Sequence, residues 1–285
     1  MFHVASGISG AREKAAPATI AIRTNKRRRR KRIVLKFGSG ILTHANTPGL
    51  DPKQIASLSA EVATLIQAGH ECIAVTSGAV AAGMAALSLK ERPLDLATAQ
   101  ASAAIGQSKL MRAYETAFAR YKLNVAQLLL THSDLDSRVR RGNAKNTLER
   151  LLATRNIVPI INENDSVAVE ELKFGDNDRL SAEVAILAGA NLLLILTQVD
   201  GLMDQKGNVI RRVRDIDRVK RLATERKGRF AVGGMISKLE AVKMAVEAGI
   251  PTAIINGRQP DRIAAVVAGE EAGTHFIARR QASRP

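Results

Sequence analysis

Six short and nearly continuous apolar runs constrain the fold more than any other feature. They are IVLKF (33–37), CIAVTS (72–77), VAQLLL (125–130), IVPII (157–161), LLLILT (192–197) and TAIIN (252–256). Helical stretches alternate with them, near 53–68, 97–120, 137–154, 179–188 and 237–248. Strands that are buried on both faces of a parallel sheet have this composition. The sequence predicts an α/β fold with a mostly parallel sheet between helices, and HFIAR near the C-terminus adds an edge strand.

The positive charge is concentrated at the N-terminus. The chain carries a formal net charge of +16, and residues 1–32 hold ten Lys or Arg residues and one acid. Such a tail suits nucleic acid or a membrane surface, and its composition also admits an organellar transit peptide. No aromatic residue is interleaved with KRRRRKR, however, so no base-stacking platform accompanies the charge. We interpret residues 1–32 as a disordered, solvated extension and residues 33–285 as one domain.

The single cysteine and the absence of long apolar runs favour a reducing cellular compartment. Cys72 lies in the apolar run CIAV, which is typical of a buried residue and not of a nucleophile. One cysteine cannot form an intramolecular disulfide, and no run approaches the ~18 residues of a membrane helix. We therefore expect a cytoplasmic protein.

Two lysines stand beside glycine-rich segments that suit anions. Lys36 precedes a Gly-Ser-Gly turn, and Lys238 ends GGMISK, which leads into a helix. Backbone N–H groups in such turns and at helix N-termini can bind phosphate. Neither segment is a P-loop, and each also reads as an ordinary loop with a solvated lysine. Ser77, before a Gly-Ala run, is either a helix N-cap or a ligand for a carboxylate.

An acidic, amide-rich segment stands out in this basic chain. NENDSVAVEELKFGDNDRLSA (162–182) holds six acids, and it contains the two clusters NEND and GDND. One residue of Asp176, Asn177 and Asp178 is expected to cap the helix that follows. Two such clusters exceed what capping requires. The five histidines have no spacing typical of a metal site, and we read them as having no role in chemistry.

These loops, taken in order, resemble the amino acid kinase family and, within it, the glutamate 5-kinases. The motifs are LKFGSGILT, VTSGAVAAG, QASAAIGQ, NENDSVAVEELKFGDNDRLSA, LTQVDGL and GGMISKLEA, and they extend from residue 33 to about 280. The resemblance implies the amino acid kinase fold, a three-layer α/β/α sandwich. It also implies ATP-dependent phosphorylation of the γ-carboxylate of L-glutamate, the first step of proline biosynthesis, with Mg²⁺ carried by ATP and no protein metal site.

The resemblance assigns roles residue by residue. Lys36 and Lys238 would flank the transferred phosphoryl group, and Asp178 would orient them. In the glutamate pocket, Asp165 would meet the α-ammonium, Asn177 other polar groups and Ser77 a carboxylate. The residues implied in nucleotide binding are Lys36, Gly38, Ser39, Thr197, Gln198, Val232, Gly233, Gly234, Met235, Ile236, Ser237 and Lys238.

Three departures from the family pattern are visible. Gln198 stands where the family has Asp, and Val232 stands where a hydroxyl side chain is usual, both on the nucleotide side. The chain ends soon after HFIARR, so we expect the C-terminal PUA domain of many relatives to be missing. The resemblance further implies a dimer or tetramer, feedback inhibition by proline and transient association with glutamyl-phosphate reductase.

Two alternative functions remain open at this point. One is another family activity, such as acetylglutamate kinase, aspartokinase or UMP kinase, against which the NEND and GDND loops argue. The other is a catalytically weak regulatory protein that binds nucleic acid through its Arg-rich tail. A membrane partner is not expected.

Overall fold

A single sheet organises the molecule. The computed structural model describes residues 30–44, 49–168, 176–225 and 232–278, so residues 1–29 of the predicted extension lie outside the described part. The sheet has the order β3-β4-β2-β1-β5-β7-β8-β6, and among these described strands β7 and β8 alone pair antiparallel. Its strands are β1 (Arg32–Phe37), β2 (Glu71–Val75), β3 (Asn124–Leu130), β4 (Ile157–Glu163), β5 (Leu192–Thr197), β6 (Arg212–Val213), β7 (Thr252–Asn256) and β8 (Thr274–Phe276).

Helices cover both faces of this sheet. They are α1 (Ser39–Leu42), α2 (Pro52–Gln67), α3 (Ala79–Ala86), α4 (Leu96–Ala119), α5 (His132–Asp136), α6 (Arg138–Ala153), α7 (Asp176–Leu187), α8 (Ile216–Glu225), α9 (Val232–Glu247) and α10 (Arg262–Ala268). One hydrophobic core lies beneath α1 to α4 and α10, and a second lies beneath α5 to α9. The predicted three-layer α/β/α arrangement is confirmed.

The side-chain alternation of β1 shows how the sheet divides the two cores. Ile33, Leu35 and Phe37 belong to the core beneath α2 and α4, and Val34 belongs to the core beneath α7 and α9. Because successive side chains of a strand point to opposite faces, Lys36 faces the same side as Val34. The register that pairs Lys36 with Val75 and Ile195 thus directs its ammonium group toward α7 and α9.

The strand order creates a cleft beside β1. From β1 the chain crosses first to β2 on one side, and it later returns to β5 on the other side. Ligands of open parallel sheets bind at such a reversal, outside the carboxyl ends of the strands. The loops after β1, β2, β4 and β5 meet at this edge.

The six predicted strands are confirmed to within about two residues at each end. The predicted edge position of the HFIAR run is wrong, because β8 lies between β7 and β6. The prediction overlooked β6, α1, α3, α5, α8 and α10, most of which are too short for a hydrophobic period. No helix in the described ranges is long and apolar enough to cross a membrane.

Candidate active site

A cavity of about 420 Å³ lies at the carboxyl ends of β1, β2, β4 and β5. Five parts of the chain that are distant in sequence form its walls: the loop after β1, the start of α3, the end of β4, the first turn of α7 and the first turns of α9. The lining residues include Lys36, Gly38, Ser39, Gly40, Ser77, Met84, Arg92, Asn162, Glu163, Asp165, Asn177, Asp178, Thr197, Gln198, Gly234, Ser237 and Lys238.

Asp178 is the centre of the polar cluster in this cavity. Its Oδ1 lies 2.5 Å from Lys36 Nζ, and its Oδ2 lies 3.1 Å from Lys238 Nζ. The Ser237 hydroxyl donates to the same Oδ2 at 3.1 Å. The Asp178 side chain is 1% exposed, while the two lysines are 6% and 14% exposed. A buried carboxylate therefore holds two cations side by side at the cavity wall.

The charge states of this cluster follow from burial and mutual attraction. Burial raises the pKa of the Asp178 carboxyl, but the two nearby ammonium groups outweigh it, and the pKa lies below its usual value. Burial lowers the pKa of Lys36, and the charge of Lys238 adds to this effect, while Asp178 opposes it. Asp178 is thus ionised at neutral pH. Two clustered ammonium groups beside a cavity can bind a phosphate and stabilise charge that develops on it.

Local structure explains how Asp178 reaches the lysines. Asp176, Asn177 and Asp178 all lie inside the first turn of α7, so the prediction that one of them is the N-cap is wrong. The Ser181 hydroxyl donates to the Asp178 backbone carbonyl at 2.6 Å. Lys238 extends back along α9 and donates to the Gly234 carbonyl at 3.0 Å.

The start of α3 forms the wall beside β2. Gly78 is the N-cap of α3, with φ at 100°, and no side chain caps the helix. The expected alternative that Ser77 is the cap is therefore wrong, and Ser77 lines the cavity instead. The N–H groups of the first turn of α3 lack intrahelical partners, as at any helix N-terminus. The residues of this turn, Ala79 to Ala81, line the same cavity as Ser77.

The NEND segment contributes Asn162, Glu163 and Asp165 to the cavity lining. Asn162, at the end of β4, donates from Nδ2 to Gln107 Oε1 at 2.8 Å, which fixes its amide. Within the part of the chain that the structure describes, its buried Oδ1 has no hydrogen-bond partner, and neither does the Oδ1 of Asn177. Buried acceptors of this kind are costly unless a donor reaches them. Together with Glu163 and Asp165, they form an acceptor-rich wall that suits an ammonium group.

Gln198 makes a contact that the family residue at this position, Asp, could not make. Its Nε2 donates to the Gly40 carbonyl at 2.6 Å. Arg258 donates to the same carbonyl at 2.8 Å and to the Thr43 carbonyl at 2.9 Å. A Cβ atom at Gly40 would lie 2.9 Å from Gln198 Cδ, so glycine allows this close approach without displacing the Gln198 side chain. Gln198 and Arg258 thus hold the loop after β1 from the side of β5 and β7.

Most of the predicted site residues come together in this cavity. Those that do not line it are Met235 and Ile236, and Met235 packs against the core beneath α9. Val232 and Gly233 begin α9, but their side-chain surroundings lie outside the described residues. Lining residues that were not predicted as site residues include Gly40, Met84, Arg92, Asn162 and Glu163. Asn162 and Glu163 belong to the NEND cluster that was noticed in the sequence, whereas nothing local distinguishes Arg92.

A model of the amino acid kinase family matches residues 31–256, which contain β1 to β7, both lysines and Asp178. The chain belongs to the amino acid kinase family. Two curated glutamate 5-kinases, from Citrifermentans bemidjiense and Thermus thermophilus, are 48% and 45% identical over 254 and 256 residues. These alignments cover 87% and 88% of this chain and 68% of each relative. The resemblance to the glutamate 5-kinases is confirmed.

Solved structures agree on the fold. A UMP kinase from Bacillus anthracis superposes with a TM-score of 0.59 at 17% identity, covering 87% of this chain and 96% of that chain. An N-acetylglutamate synthase from Neisseria gonorrhoeae, complexed with coenzyme A and L-arginine, superposes with a TM-score of 0.63 at 15% identity. The superposition covers 87% of this chain and 62% of that chain. At such low identity these similarities concern the fold alone.

Proposed function

We propose that this chain transfers the γ-phosphoryl group of ATP to the γ-carboxylate of L-glutamate, which gives L-glutamyl 5-phosphate for proline biosynthesis. The observation that carries the proposal is the Lys36–Asp178–Lys238 cluster at the cavity. It occurs in a chain that is 48% identical over 254 residues to a curated glutamate 5-kinase. Acetylglutamate kinase and aspartokinase activities are less favoured, since those curated relatives carry the glutamate 5-kinase name.

The chemistry requires positioning and charge stabilisation. A γ-carboxylate is already ionised at neutral pH, so it attacks phosphorus without a general base. Lys36 and Lys238 bind the transferred phosphoryl group, and Asp178 holds both ammonium groups in place. Because these charges are fixed before the reaction in a largely buried site, little reorganisation accompanies phosphoryl transfer.

The two substrates occupy different ends of the cavity. Asp165 and Asn177 bind glutamate on the acceptor-rich wall, and Ser77 binds a carboxylate. The nucleotide phosphates lie against Gly38, Ser39 and the first turn of α9, and Thr197 and Gln198 lie on the same side.

Magnesium fits this site as part of the nucleotide. The described residues contain no group of three or more His, Cys, Asp or Glu side chains arranged to hold a metal ion. Asp178, moreover, is already engaged by two lysines. When bound with ATP, Mg²⁺ neutralises charge on the β- and γ-phosphates. Lys36 and Lys238 are the groups of the protein that neutralise negative charge on the transferred phosphoryl group.

The same proposal includes the oligomeric state, the inhibition and the protein partner of the chain. We expect a homodimer or homotetramer, inhibition by proline, and transient delivery of the acyl phosphate to glutamyl-phosphate reductase, all in the cytoplasm. Light scattering and a pull-down with the reductase test the two associations. An acyl phosphate that is released into water is lost by hydrolysis. This is the chemical reason to expect the reductase close to the kinase.

A hydroxamate assay tests the activity directly. Hydroxylamine traps L-glutamyl 5-phosphate as a coloured hydroxamate in the presence of ATP and Mg²⁺. L-Aspartate and N-acetyl-L-glutamate are run in parallel, and UMP is followed by ADP release. We expect turnover with L-glutamate alone. Turnover with another acceptor, or none with folded protein at saturating ATP, would refute the proposal.

A further inference from the structure

One face of α4 carries three polar side chains at intervals of seven residues. They are Gln100, Gln107 and Tyr114, and none of the three is exposed. Seven residues are close to two turns of an α-helix, so the three side chains share one face. The Tyr114 hydroxyl lies 2.7 Å from Thr76 Oγ1, directly after β2. The two glutamines begin and end the motif QASAAIGQ, to which the proposed phosphoryl transfer gives no role.

The two glutamines hold opposite ends of the segment 162–168, which contains the NEND cluster. Gln107 Oε1 accepts a hydrogen bond from Asn162 Nδ2 at 2.8 Å. Gln100 Nε2 donates to the Ala168 backbone carbonyl at 3.1 Å. Neither glutamine lines the cavity, whereas Asn162 does. The helix α4 therefore fixes, from behind, a segment that contributes to the cavity lining.

The hydrogen bond of Gln107 decides which end of the Asn162 amide remains for a ligand. Because Gln107 presents its carbonyl oxygen, Asn162 must present its NH2 group, and the Asn162 Oδ1 is left over. That oxygen is buried and has no hydrogen-bond partner among the described residues. A buried acceptor requires a donor, and an ammonium group of a substrate can supply one. If the amide were turned over, its NH2 group would repel an ammonium group.

We propose that Gln107 and Gln100 are positioning residues for the acceptor substrate. Gln107 keeps the Asn162 Oδ1 available to the α-ammonium group of the substrate, and Gln100 holds the far end of the same segment. The inference rests on the proposed glutamate kinase function and adds residues outside the cavity to it. Gln107 acts as a hydrogen-bond acceptor, whereas Gln100 acts as a donor.

Replacement by glutamate separates these two roles. A carboxyl group keeps an accepting oxygen in either protonation state, but an ionised carboxylate cannot donate. Gln107→Glu and Gln100→Glu are therefore compared with Gln107→Met and Gln100→Met. Gln67→Met is the matched control, because Gln67 is an exposed residue of α2 outside the cavity lining. KM and kcat are measured for L-glutamate, together with the KM for ATP.

We expect Gln107→Met to raise the KM for L-glutamate ~10-fold, because the Asn162 amide is no longer held. Gln107→Glu should raise it less than ~3-fold, since the accepting oxygen remains. Both substitutions of Gln100 should raise it ~5- to 20-fold, because both remove the donor to the Ala168 carbonyl. The kcat and the KM for ATP should change less than ~2-fold in all four variants, and Gln67→Met should behave as wild type.

A double-mutant cycle tests whether Gln107 acts through Asn162. The dissociation constant of L-glutamate is measured by calorimetry for Gln107→Met, for Asn162→Ala and for the double variant. We expect the double variant to bind no more than ~2-fold more weakly than Asn162→Ala, because the amide that Gln107 orients is already absent. If the two single losses multiply instead, Gln107 does not act through Asn162 and the inference is wrong.

Two kinetic results would also overturn the inference. One is an equal loss in Gln107→Glu and Gln107→Met, and the other is a parallel loss of kcat and of affinity for both substrates, as general loosening of the fold would give. Wild-type turnover with an unchanged KM in Gln107→Met would refute this inference alone. Binding of L-glutamate without hydroxamate formation would refute the kinase activity alone, and the dissociation constants would then decide the role of Gln107. No binding and no turnover would overturn both proposals.

Discussion

At the scale of single residues, the active site depends on one buried acid. Asp178 is 1% exposed and holds two lysines that come from different elements. An isolated buried charge is strongly unfavourable, so the acid and the lysines stabilise one another. The carboxylate of Asp178 also keeps the two ammonium groups close together. Without it, their positive charges would repel each other. The residues proposed for catalysis thus also determine how the three elements meet.

We expect Lys36→Met and Lys238→Ala each to lower kcat by ~10²- to 10³-fold, because each removes a charge that stabilises the transferred phosphoryl group. Lys243→Ala is the matched control, since Lys243 lies on the same helix, is 40% exposed and pairs with Asp217 away from the cavity. Circular dichroism and L-glutamate binding confirm that each variant is folded. A variant that keeps more than about a tenth of wild-type turnover contradicts the proposed role.

Gln198 is one of the two residues at which the sequence departs from the expected family pattern on the nucleotide side. Its amide donates to the Gly40 carbonyl, so it positions the loop after β1 in addition to lining the cavity. Gln198→Glu keeps the size but removes the donor and adds repulsion from the carbonyl oxygen. We expect the KM for ATP to rise roughly 5- to 20-fold, equivalent to ~1–2 kcal/mol, with the KM for L-glutamate nearly unchanged.

Gln127→Glu provides the comparison for Gln198→Glu, because it introduces the same charge at an exposed residue of β3. Steady-state kinetics with each substrate varied in turn separate the two KM values. An unchanged KM for ATP in Gln198→Glu would mean that Arg258 alone suffices to hold Gly40. A parallel rise in both KM values would indicate a general loss of structure.

At the scale of elements, the contact between α3 and α4 is unusually close. A Cβ atom at Gly83 would lie 1.7 Å from the Ser102 carbonyl oxygen, and one at Gly106 would lie 1.8 Å from the Ala79 carbonyl oxygen. The two helices therefore meet backbone to backbone. Because α3 begins at the cavity wall, this contact also determines where Ser77 and the first turn of α3 lie.

We expect Gly83→Ala to reduce the free energy of unfolding by about 3 kcal/mol, because the new methyl group forces α3 and α4 apart. Gly142→Ala is the matched control. Gly142 lies inside α6, and a Cβ there would meet nothing within 4 Å. That substitution should stabilise the protein by about 0.5–1 kcal/mol. Urea unfolding measures both, and equal effects would contradict the proposed close packing.

At the scale of the whole molecule, an ion pair between distant parts of the chain makes stability depend on pH. His132 Nδ1 lies 2.8 Å from Glu183 Oε2, which joins α5 to α7. The hydrogen bond to Glu183 raises the pKa of His132, with smaller contributions from the charges of Glu183 and Glu163, while burial and Arg179 lower it. This is a structural role, and it is separate from the prediction that the histidines have no part in chemistry.

Since the folded-state pKa of His132 lies above its ordinary value of 6.5, its contribution is complete below pH 6.5 and declines as the pH rises through the folded-state pKa. We expect the wild-type protein to exceed His132→Gln in stability by about 1 kcal/mol more at pH 6 than at pH 9. Urea unfolding at both pH values measures this difference. A difference in stability that is independent of pH would refute the charged pair.

Much of the architecture was predictable from local patterns. Strands that are buried on both faces must be apolar throughout, and IVLKF and LLLILT therefore indicated β1 and β5 within one residue at each end. Short elements such as α1 and α5 escaped prediction because four or five residues do not establish a period. Resemblance identified most of the lining residues, since the loop motifs retain their residue types and spacing.

By itself the sequence determined the α/β class, the places where strands end in glycine-rich or acidic loops, and the family to which those loops belong. These properties depend on neighbours along the chain. Only the tertiary structure decided which loops meet, because the strand order sets β1 between β2 and β5. Through that order Asp178 reaches Lys36 and Lys238, Gln198 reaches Gly40, and Arg92 lines the cavity. Such contacts join residues far apart in the chain, and no local pattern specifies them.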